Sequence, residues 1–436
     1  MGLGLSEHLC YSVLQQEVPM AEGPLVLGLA GSFGSGCSTL AQTLRDYYNF
    51  RVFSLTAFLK TEWERRLRER GEPERVATRA ELQDLGNELR QSQGHHVLAE
   101  KALQAAKAEA NDSVVFDSIK NLAEVTHLRA NNPEFYLLIV QCSSSERWHR
   151  VEAKYAEQQR PLDHFYEDDL RDQLEADLPH GQQVQLCVDQ ADIVITNEVH
   201  AHSRFEATRN LEIRISPFLG LISHDKPRYP DVDEVMMAVA YMQATRSRCI
   251  KRQVGAIIVD QQDNIVSIAF NENPPPIELC GDRSRCEKEW RMLGEIESLR
   301  QCPCCKSPFA EANAFRQTCE KCGINLGKAL FPDRGAKYCR AMHAEETAIR
   351  QSPRRDLRGC TLYTTTFPCY GCAKVIVAAG IRRVVYVEPY PEQNAAELLQ
   401  EAGCDVQLFE GVKARAFHRL FAPVQREMES RFSMKI

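Results

Sequence analysis

Short apolar runs alternate with amphipathic stretches over the first two hundred residues. Four runs have the length of buried strands, and these lie at 25–30, 114–117, 135–141 and 191–196. Helical periodicity lies between them, for example at 80–90 and 97–108. Strands separated by helices are typical of a parallel sheet covered by helices on both faces. We therefore predict an α/β domain at 23–215, after an N-terminal segment at 1–22.

The pattern changes after 216–230, a segment with three prolines that we interpret as a linker. Beyond it, residues 231–436 are predicted to form a second α/β domain. Its predicted elements are a helix at 232–247, strands at 254–259 and 265–270, a helix at 343–349, a strand at 361–365, a helix at 372–379 and a strand at 383–386. Residues 275–340 are rich in proline, cysteine and glycine, which indicates an inserted small module.

Composition narrows the class of protein. A chain of 436 residues is long enough for two domains. The net charge of −7 argues against a large nucleic-acid surface. The first residues lack the pattern of a secretory signal, and no apolar run approaches the roughly 20 residues that span a bilayer. We therefore expect a cytoplasmic protein with no membrane partner, in which the 17 cysteines bind metal or do chemistry rather than form disulfides.

Two motifs in the second domain carry the strongest chemical signal. One is Met342-His343-Ala344-Glu345, and the other is Pro368-Cys369-Tyr370-Gly371-Cys372. His343, Cys369 and Cys372 supply the three N/S ligands of a catalytic zinc that keeps one position open. Glu345 is predicted to be the general acid/base of a zinc-dependent deaminase. The alternative, a buried histidine beside two core cysteines, is disfavoured because the whole pattern is present.

Residues 231–400 resemble the deoxycytidylate deaminase family. The resemblance rests on ATRSRC, VGAIIVD, FNENP, HAEETAI and TTFPCYGCAKVIVAAGIRRVVYVEPY. It implies a mixed five-stranded sheet with helices on both faces, an oligomer, and a deoxynucleotide substrate. It also implies that Asn271 binds the sugar and that Tyr390 contacts the nucleotide. Arg248 is a candidate phosphate contact, and an ordinary exposed arginine is the alternative.

The inserted module contains two C-x-x-C pairs. Cys302, Cys305, Cys319 and Cys322 have the spacing of a closed four-cysteine zinc ribbon, which would be a second, structural ion. A module with so few apolar residues would need the metal to fold. Cys304 is an alternative ligand, and reduced cysteines without metal are the alternative to a zinc site.

The stretch Gly31-Ser-Phe-Gly-Ser-Gly-Cys-Ser-Thr39 lies between a predicted strand and a predicted helix. It fits a phosphate-binding P-loop except that Cys37 stands where the lysine is expected. Backbone N–H groups do most of the phosphate binding, so binding is expected to survive while kinase chemistry is doubtful. Asp117 ends a strand where a Mg²⁺-linked carboxylate would lie. The candidate contacts are Gly31, Gly34, Gly36, Cys37, Ser38, Thr39 and Asp117.

This first domain resembles small deoxynucleoside-monophosphate kinases, on the P-loop stretch together with VVFDSIKNLAEVTHLR and ADIVITN. A glycine turn that binds nothing is the alternative. Arg147, Arg150 and Arg160 are possible substitutes for the missing charge. The sequence does not place any of them near the loop.

The whole chain resembles anti-phage cytidine deaminases with a P-loop kinase-like domain. This implies zinc-dependent deamination of free dCTP and/or dCMP, depletion of the nucleotide pool, and a regulatory first domain. An allosteric nucleotide such as dTTP, an inhibitory protein or RNA, and a homo-oligomer are further expectations. The alternatives are a base deaminase acting on tRNA or single-stranded DNA, which the acidic charge disfavours, and a binding protein with two inactive sites.

Overall fold

The computed structural model describes residues 24–107, 112–157, 162, 164–166, 168–169, 178–199, 201, 203–309, 318–331, 336–389 and 393–422. Their contacts divide the chain into two compact units. Unit 1 contains the described residues up to Pro230 and those from Gly411 onward. Unit 2 runs from Asp231 to Glu410 and is therefore an insertion within unit 1.

Unit 1 is built on a six-stranded sheet. Its strands are β1 (Val26–Ala30), β2 (Arg51–Ser54), β3 (Val114–Ile119), β4 (Phe135–Gln141), β5 (Ile193–Thr196) and β11 (Gly411–Val412), in the order β11-β5-β4-β1-β3-β2. The first five are parallel, and β11 pairs antiparallel with β5. All seven positions of β4 are buried, as expected for a strand covered on both faces. The predicted parallel sheet is confirmed.

Helices connect these strands. They are α1 (Cys37–Tyr48), α2 (Leu55–Arg70), α3 (Arg79–Gln93), α4 (Val97–Lys107), α5 (Leu122–Asn131), α6 (Ser144–Glu157), α7 (Val184–Asp189) and α8 (Arg204–Ile222). Side chains on α1 and α8 pack with the sheet in one apolar cluster. Two of these helices begin at a reciprocal capping box, made by Thr78 with Glu81 and by Asn121 with Glu124.

Two predicted boundaries are wrong. The supposed linker at 216–230 begins inside α8, because Phe218, Leu219 and Ile222 continue its buried face past Pro217. The second domain does not extend to 436. Val412, Leu420 and Phe421 are buried in the apolar cluster of unit 1. The chain from Gly411 onward therefore belongs to the first domain and not to the second.

Unit 2 contains a mixed five-stranded sheet, as the family resemblance implied. Its strands are β6 (Gly255–Val259), β7 (Ile265–Phe270), β8 (Thr361–Thr366), β9 (Arg383–Glu388) and β10 (Asp405–Leu408), in the order β10-β9-β8-β6-β7. β6 is antiparallel to β7 and β8, whereas β8, β9 and β10 are parallel.

The helices of unit 2 are α9 (Val232–Ala244), α10 (Cys280–Arg283), α11 (Glu287–Ser298), α12 (Leu326–Leu330), α13 (Ala344–Gln351), α14 (Tyr370–Ala379) and α15 (Gln393–Glu401). A side chain at Gly255 would come within 1.9 Å of the Ala240 carbonyl oxygen, so α9 packs directly on β6. Helices α10 to α12 belong to the segment that the sequence predicted as an insertion. Within the described ranges, no helix has the length and apolarity to cross a bilayer.

Candidate metal centre and glycine loop

Two helix starts bring the three predicted zinc ligands together. His343 is the residue before α13, and Cys369 is the residue before α14. Cys372 lies in the first turn of α14, so its thiol faces the same side as that of Cys369. The Nδ1 atom of His343 lies 3.3 Å from both sulfur atoms, and the donor atoms of the three residues lie within 4.8 Å of one another.

These distances fit a zinc ion. Sulfur at about 2.3 Å and nitrogen at about 2.0 Å from a tetrahedral zinc would lie about 3.6 Å apart. Cys372 is buried, Cys369 is half-buried and His343 is exposed, so the group of donors is open to solvent on one side. Three donors with an open side are typical of a catalytic rather than a structural zinc site.

The electrostatics of this group also favour a cation. A hydrogen bond between the two cysteines lowers the pKa of Cys369 to about 4 and raises the pKa of Cys372 above its usual value. The ionised Cys369 in turn raises the pKa of His343 to about 9. A proton on His343 therefore balances one thiolate, and a divalent cation would allow both sulfur atoms to be ionised.

Glu345 lies in the first turn of α13, two residues after His343. Its side chain is 4% exposed, and burial raises the pKa of its carboxyl group. A buried carboxyl group with a raised pKa keeps its proton to a higher pH than an exposed carboxyl group, which suits a general acid/base. The placement of Glu345 beside the three donors agrees with the predicted role, and the role itself stays a prediction.

The predicted substrate contacts have different surroundings. Asn271 is buried at the end of β7, where its amide accepts from the Val254 N–H at 2.7 Å and donates to the Arg252 carbonyl at 2.9 Å. Arg248 is exposed and forms an ion pair with Asp282 at 2.7 Å. Tyr390 lies outside the described residues. The structure thus gives Asn271 a loop-holding function, and it gives Arg248 a protein partner.

One polar group in unit 2 was not singled out from the sequence. Glu388, at the end of β9, is 6% exposed and lies 2.5 Å from the Arg252 guanidinium. It also accepts from the Thr366 hydroxyl at 3.3 Å. The signal in the sequence was a charged residue at the end of an otherwise apolar strand. The sequence gives no local signal for the role of Arg252, because its partner Glu388 lies 136 residues further along the chain.

The four cysteines of the insertion form a second donor cluster. Their sulfur atoms all lie within 4.8 Å of one another, with Cys302–Cys322 and Cys305–Cys319 both at 3.7 Å. Four sulfur ligands around a tetrahedral zinc would lie about 3.8 Å apart. Cys304 is exposed and lies outside this group.

Each C-x-x-C pair is held by the same turn. Cys302 accepts from the Lys306 N–H at 3.1 Å and donates to the Ser307 carbonyl at 2.8 Å. The second turn repeats these two bonds with Cys319, Gly323 and Ile324 at 2.8 and 3.0 Å. Lys306 and Gly323 are both left-handed, at φ 59° and 69°. A backbone N–H lowers the pKa of Cys319 to about 6, which is the direction that metal binding by a thiolate requires.

In unit 1 the predicted P-loop residues meet between β1 and α1. Gly36, at φ 110°, is the residue before α1, and Cys37, Ser38 and Thr39 form its first turn. The Ser38 hydroxyl donates to Asp117 Oδ2 at 2.9 Å. Asp117 does not end its strand as predicted, because β3 continues to Ile119. Gly31 and Gly34 lie in the loop itself. This arrangement agrees with a phosphate loop, and phosphate binding stays a prediction.

The thiol of Cys37 does not replace the missing lysine. Burial is the main reason that its pKa is raised to about 11, so the group is neutral at physiological pH. Arg147 pairs with Asp169 at 2.5 Å and donates to the Phe33 carbonyl. Arg150 contacts Glu146 at 3.1 Å and the Ser35 carbonyl at 3.4 Å. Both arginines hold the loop, and each already pairs with a carboxylate. The third candidate, Arg160, lies outside the described residues.

Comparison with known proteins matches one part of the chain. Residues 230–388 match the family model for the cytidine and deoxycytidylate deaminase zinc-binding region. This segment includes all three donors of the open cluster, Glu345 and the four cysteines of the insertion.

Named relatives agree with that match. The deoxycytidylate deaminase of Mycobacterium phage D29 is 31% identical over 157 residues, which cover 36% of this chain and 94% of the phage protein. The human deoxycytidylate deaminase is 30% identical over 175 residues, covering 39% of this chain and 75% of the human protein. The probable deoxycytidylate deaminase of Drosophila melanogaster is 32% identical over 165 residues, covering 38% of this chain and 63% of that protein.

Among solved structures, the dCMP deaminase of cyanophage S-TIM5 in complex with dCMP and dUMP shares 22% identity and covers 42% of this chain and 99% of its own. The TM-score of this pair is 0.27.

Proposed function

The chain belongs to the deoxycytidylate deaminase family, and we propose that unit 2 hydrolyses the amino group of free deoxycytidine nucleotides. The substrates would be dCMP and/or dCTP, and the products dUMP or dUTP and ammonia. The observation that carries this proposal is the convergence of His343, Cys369 and Cys372 beside the buried Glu345.

The residues of the open cluster suit this reaction. His343, Cys369 and Cys372 would hold zinc, which acts as a Lewis acid and makes water a competent nucleophile at neutral pH. Glu345 would accept a proton from the attacking water and deliver it to the base. The water oxygen would bond to C4, and the second proton of that water would pass to the amino group, so that the C–N bond at C4 breaks and ammonia leaves. Burial of Glu345 favours its protonated form, which makes proton delivery to the base easier.

A structural zinc in the insertion is a further part of the proposal. The 3.7 Å sulfur–sulfur distances and the repeated turn support it. The cluster also contributes Cys302 and Cys319 to a small apolar core with Ile296, Leu326 and Phe331. Such a core is too small to be stable without a staple.

We also propose that unit 1 regulates the enzyme by binding a nucleotide such as dTTP, and that the enzyme acts as a homo-oligomer that depletes the deoxycytidine nucleotide pool in phage defence. The support is the P-loop arrangement of unit 1 and the resemblance of the whole chain to anti-phage deaminases. An inhibitory protein or RNA could regulate the enzyme in place of a nucleotide.

The first experiment is mass spectrometry of the products formed from dCMP, dCTP, CTP and cytidine, each with and without dTTP. We expect turnover of dCMP and/or dCTP and little of cytidine. Absence of turnover with every free nucleotide would contradict the proposal, and the same assay on tRNA and single-stranded DNA would then test a base deaminase. A rate that dTTP does not change would remove dTTP as the regulator.

The defence role needs a cellular measurement. Cells expressing the chain and cells expressing Glu345→Gln would be infected with phage, and plaque number and the dCTP pool would be compared. We expect fewer plaques and a smaller dCTP pool with the active chain alone. Equal plaque numbers across a panel of DNA phages would contradict the defence role and leave the deaminase proposal standing.

A further inference from the structure

We propose that Lys120 supplies the positive charge that Cys37 lacks, and that the loop from Gly31 to Thr39 binds the phosphates of a nucleoside triphosphate with Mg²⁺. This site lies outside the segment matched by the deaminase family model. The regulatory purpose of this site rests on the proposed function. Nucleotide binding at the site does not depend on the deamination chemistry.

The first observation is the start of α1. Helix α1 has 12 residues, and it follows a loop whose backbone N–H groups lie at the positive end of the helix. The left-handed Gly36 turns the chain into the helix, and a side chain there would come within 2.3 Å of the Asn197 amide. The loop therefore keeps a shape that needs glycine, although its lysine position has changed.

The second observation is an incompletely bonded carboxylate. Asp117 is 3% exposed, and its Oδ2 accepts from Ser38 in the first turn of α1. Its Oδ1 is buried and has no hydrogen-bond partner among the described residues. In P-loop proteins a serine or threonine and a strand-end aspartate hold the Mg²⁺ of the nucleotide. A Mg²⁺ ion here would pair with the buried charge of Asp117.

Strain next to Asp117 supports the same interpretation. Ser118 is not glycine but has φ 69°, and the pairing of β1 with β3 is irregular between Gly28 and Ala30. The left-handed region is unfavourable for a non-glycine residue, and such residues are concentrated at functional sites. The distortion lies at the carboxyl end of β3, where ligands of open α/β sheets bind.

The third observation is the position of Lys120. Its ammonium group donates to the Gly31 carbonyl at 2.7 Å, so it lies at the glycine loop, although Lys120 follows β3 whereas the loop follows β1. Its charge is close enough to lower the pKa of Cys37, against the larger effect of burial. An ammonium group at this place can neutralise phosphate charge as the lysine of a P-loop does.

The backbone of Lys120 is fixed from both sides. Its N–H donates to Glu124 at 2.9 Å, and its carbonyl accepts from the Gln183 N–H at 2.7 Å. Glu124 is fully buried and pairs with the buried Arg90 at 2.9 Å. A lysine whose main chain is held by a buried ion pair is preorganised, and preorganisation lowers the entropic cost of ligand binding.

The side chain of residue 37 points to the same place. A side chain at Gly31 would meet the Cys37 sulfur at 2.9 Å, so the thiol and the Lys120 ammonium approach the same glycine. A lysine introduced at position 37 could therefore replace the charge of Lys120. This gives a test in which the charge is moved rather than only removed.

The test is calorimetric titration of the full chain with Mg²⁺ and four probes: ATP, GTP, dTTP and inorganic tripolyphosphate. We expect at least one probe to bind the wild type, and Lys120→Gln to weaken that probe at least tenfold. Lys120→Arg should stay within about threefold of the wild type. Lys101→Gln, which changes an exposed lysine of α4 in the same unit, should stay within twofold.

The double variant Lys120→Gln with Cys37→Lys should recover binding to within about threefold of the wild type. Failure of all four probes to bind the wild type would overturn the proposal, and so would binding to Lys120→Gln within twofold. If Lys120→Gln does not fold, the comparison of Lys120→Arg with Cys37→Lys in the wild-type background decides, because added charge should tighten binding. Deamination rates measured on the same samples separate the two proposals: binding without any change in rate supports the site and refutes regulation through it.

Discussion

The two cysteine-containing clusters of unit 2 differ in the number and kind of their donor atoms, and we propose that they differ in purpose. The cluster of His343, Cys369 and Cys372 has three donors, an exposed side and a buried carboxyl group beside it. The cluster in the insertion has four sulfur donors, and its two turns close around them. The number of donors decides the chemistry, because a fourth protein ligand leaves no position for water.

The clusters also differ in what positions them. The open cluster depends on the ends of two helices packed against one sheet, since His343 and Cys369 are 26 residues apart. The closed cluster depends on short local turns, each completed within six residues. We therefore expect the open cluster to be sensitive to changes in the sheet and the closed cluster to be sensitive to its metal and its turns.

The largest expected effect is on turnover at the open cluster. Glu345→Gln should lower kcat at least about 10²-fold, because a general acid/base contributes roughly 10²–10⁴, while the zinc content stays that of the wild type. Zinc analysis and product formation from dCMP measure both. Glu346→Gln is the matched control, since Glu346 is the next residue and pairs with Arg350 at 3.9 Å. Residual turnover above a tenth of the wild type would remove Glu345 from this role.

Cysteine substitutions should separate the clusters by metal content. Cys372→Ser and Cys319→Ser should each lower the zinc content from about two ions per chain to about one. Cys372→Ser should also abolish turnover, whereas Cys319→Ser should lower the unfolding temperature of the insertion. Cys304→Ser, in the same loop as Cys302 and Cys305, should change neither quantity. A full zinc content in Cys319→Ser would contradict the closed site.

A smaller effect, on the free energy of unfolding, is expected from the ion pair between Asp233 and Arg383. Burial disfavours the ionised form of Asp233, but bonds from Arg383 and Tyr363, both at 2.6 Å, hold its pKa below the usual value. Asp233→Asn should therefore cost about 1 kcal/mol at neutral pH, since it leaves Arg383 without its ion pair.

That cost should depend on pH in a defined direction. The folded pKa of Asp233 is lowered, so its contribution is fully present above about pH 4, the pKa in the unfolded chain, and is lost as the pH falls through the lower folded value. Thermal unfolding from pH 3 to pH 8 measures the difference between Asp233→Asn and the wild type. Asp356→Asn, an exposed carboxylate paired with Arg358, should have no measurable effect. A difference that grows at low pH would contradict this account.

The smallest expected effect compares the two turns of the closed cluster. Gly323→Ala should cost about 1 kcal/mol, because the position is left-handed although nothing lies within 4 Å of the added carbon. Lys306→Gly should raise the free energy of unfolding by less than about 1 kcal/mol, because glycine adopts the left-handed conformation of this position without strain. Chemical denaturation of the zinc-loaded chain measures both. Changes of the same sign would show that backbone conformation does not control these turns.

Much of the fold was predictable because its strands carry strong local signals. The strand at 135–141 is confirmed with the same bounds as Phe135–Gln141, and it is apolar except for Gln141. β2 was missed because its four residues are exposed or half-buried and show no alternation. β11 was missed because it has two residues, and its pairing with β5 is set more than two hundred positions away.

The functional residues also divide into those with local sequence signals and those placed by distant contacts. The sequence by itself determined the donors of both clusters and the acid beside one of them, because metal ligands and their spacing are local properties of the chain. Only the tertiary structure decided that Asn271 holds a loop, that 411–422 returns to unit 1, and that Lys120 lies at the glycine loop. The reason is physical: each of these depends on burial or on hydrogen bonds between residues distant in sequence, and no local pattern records such contacts.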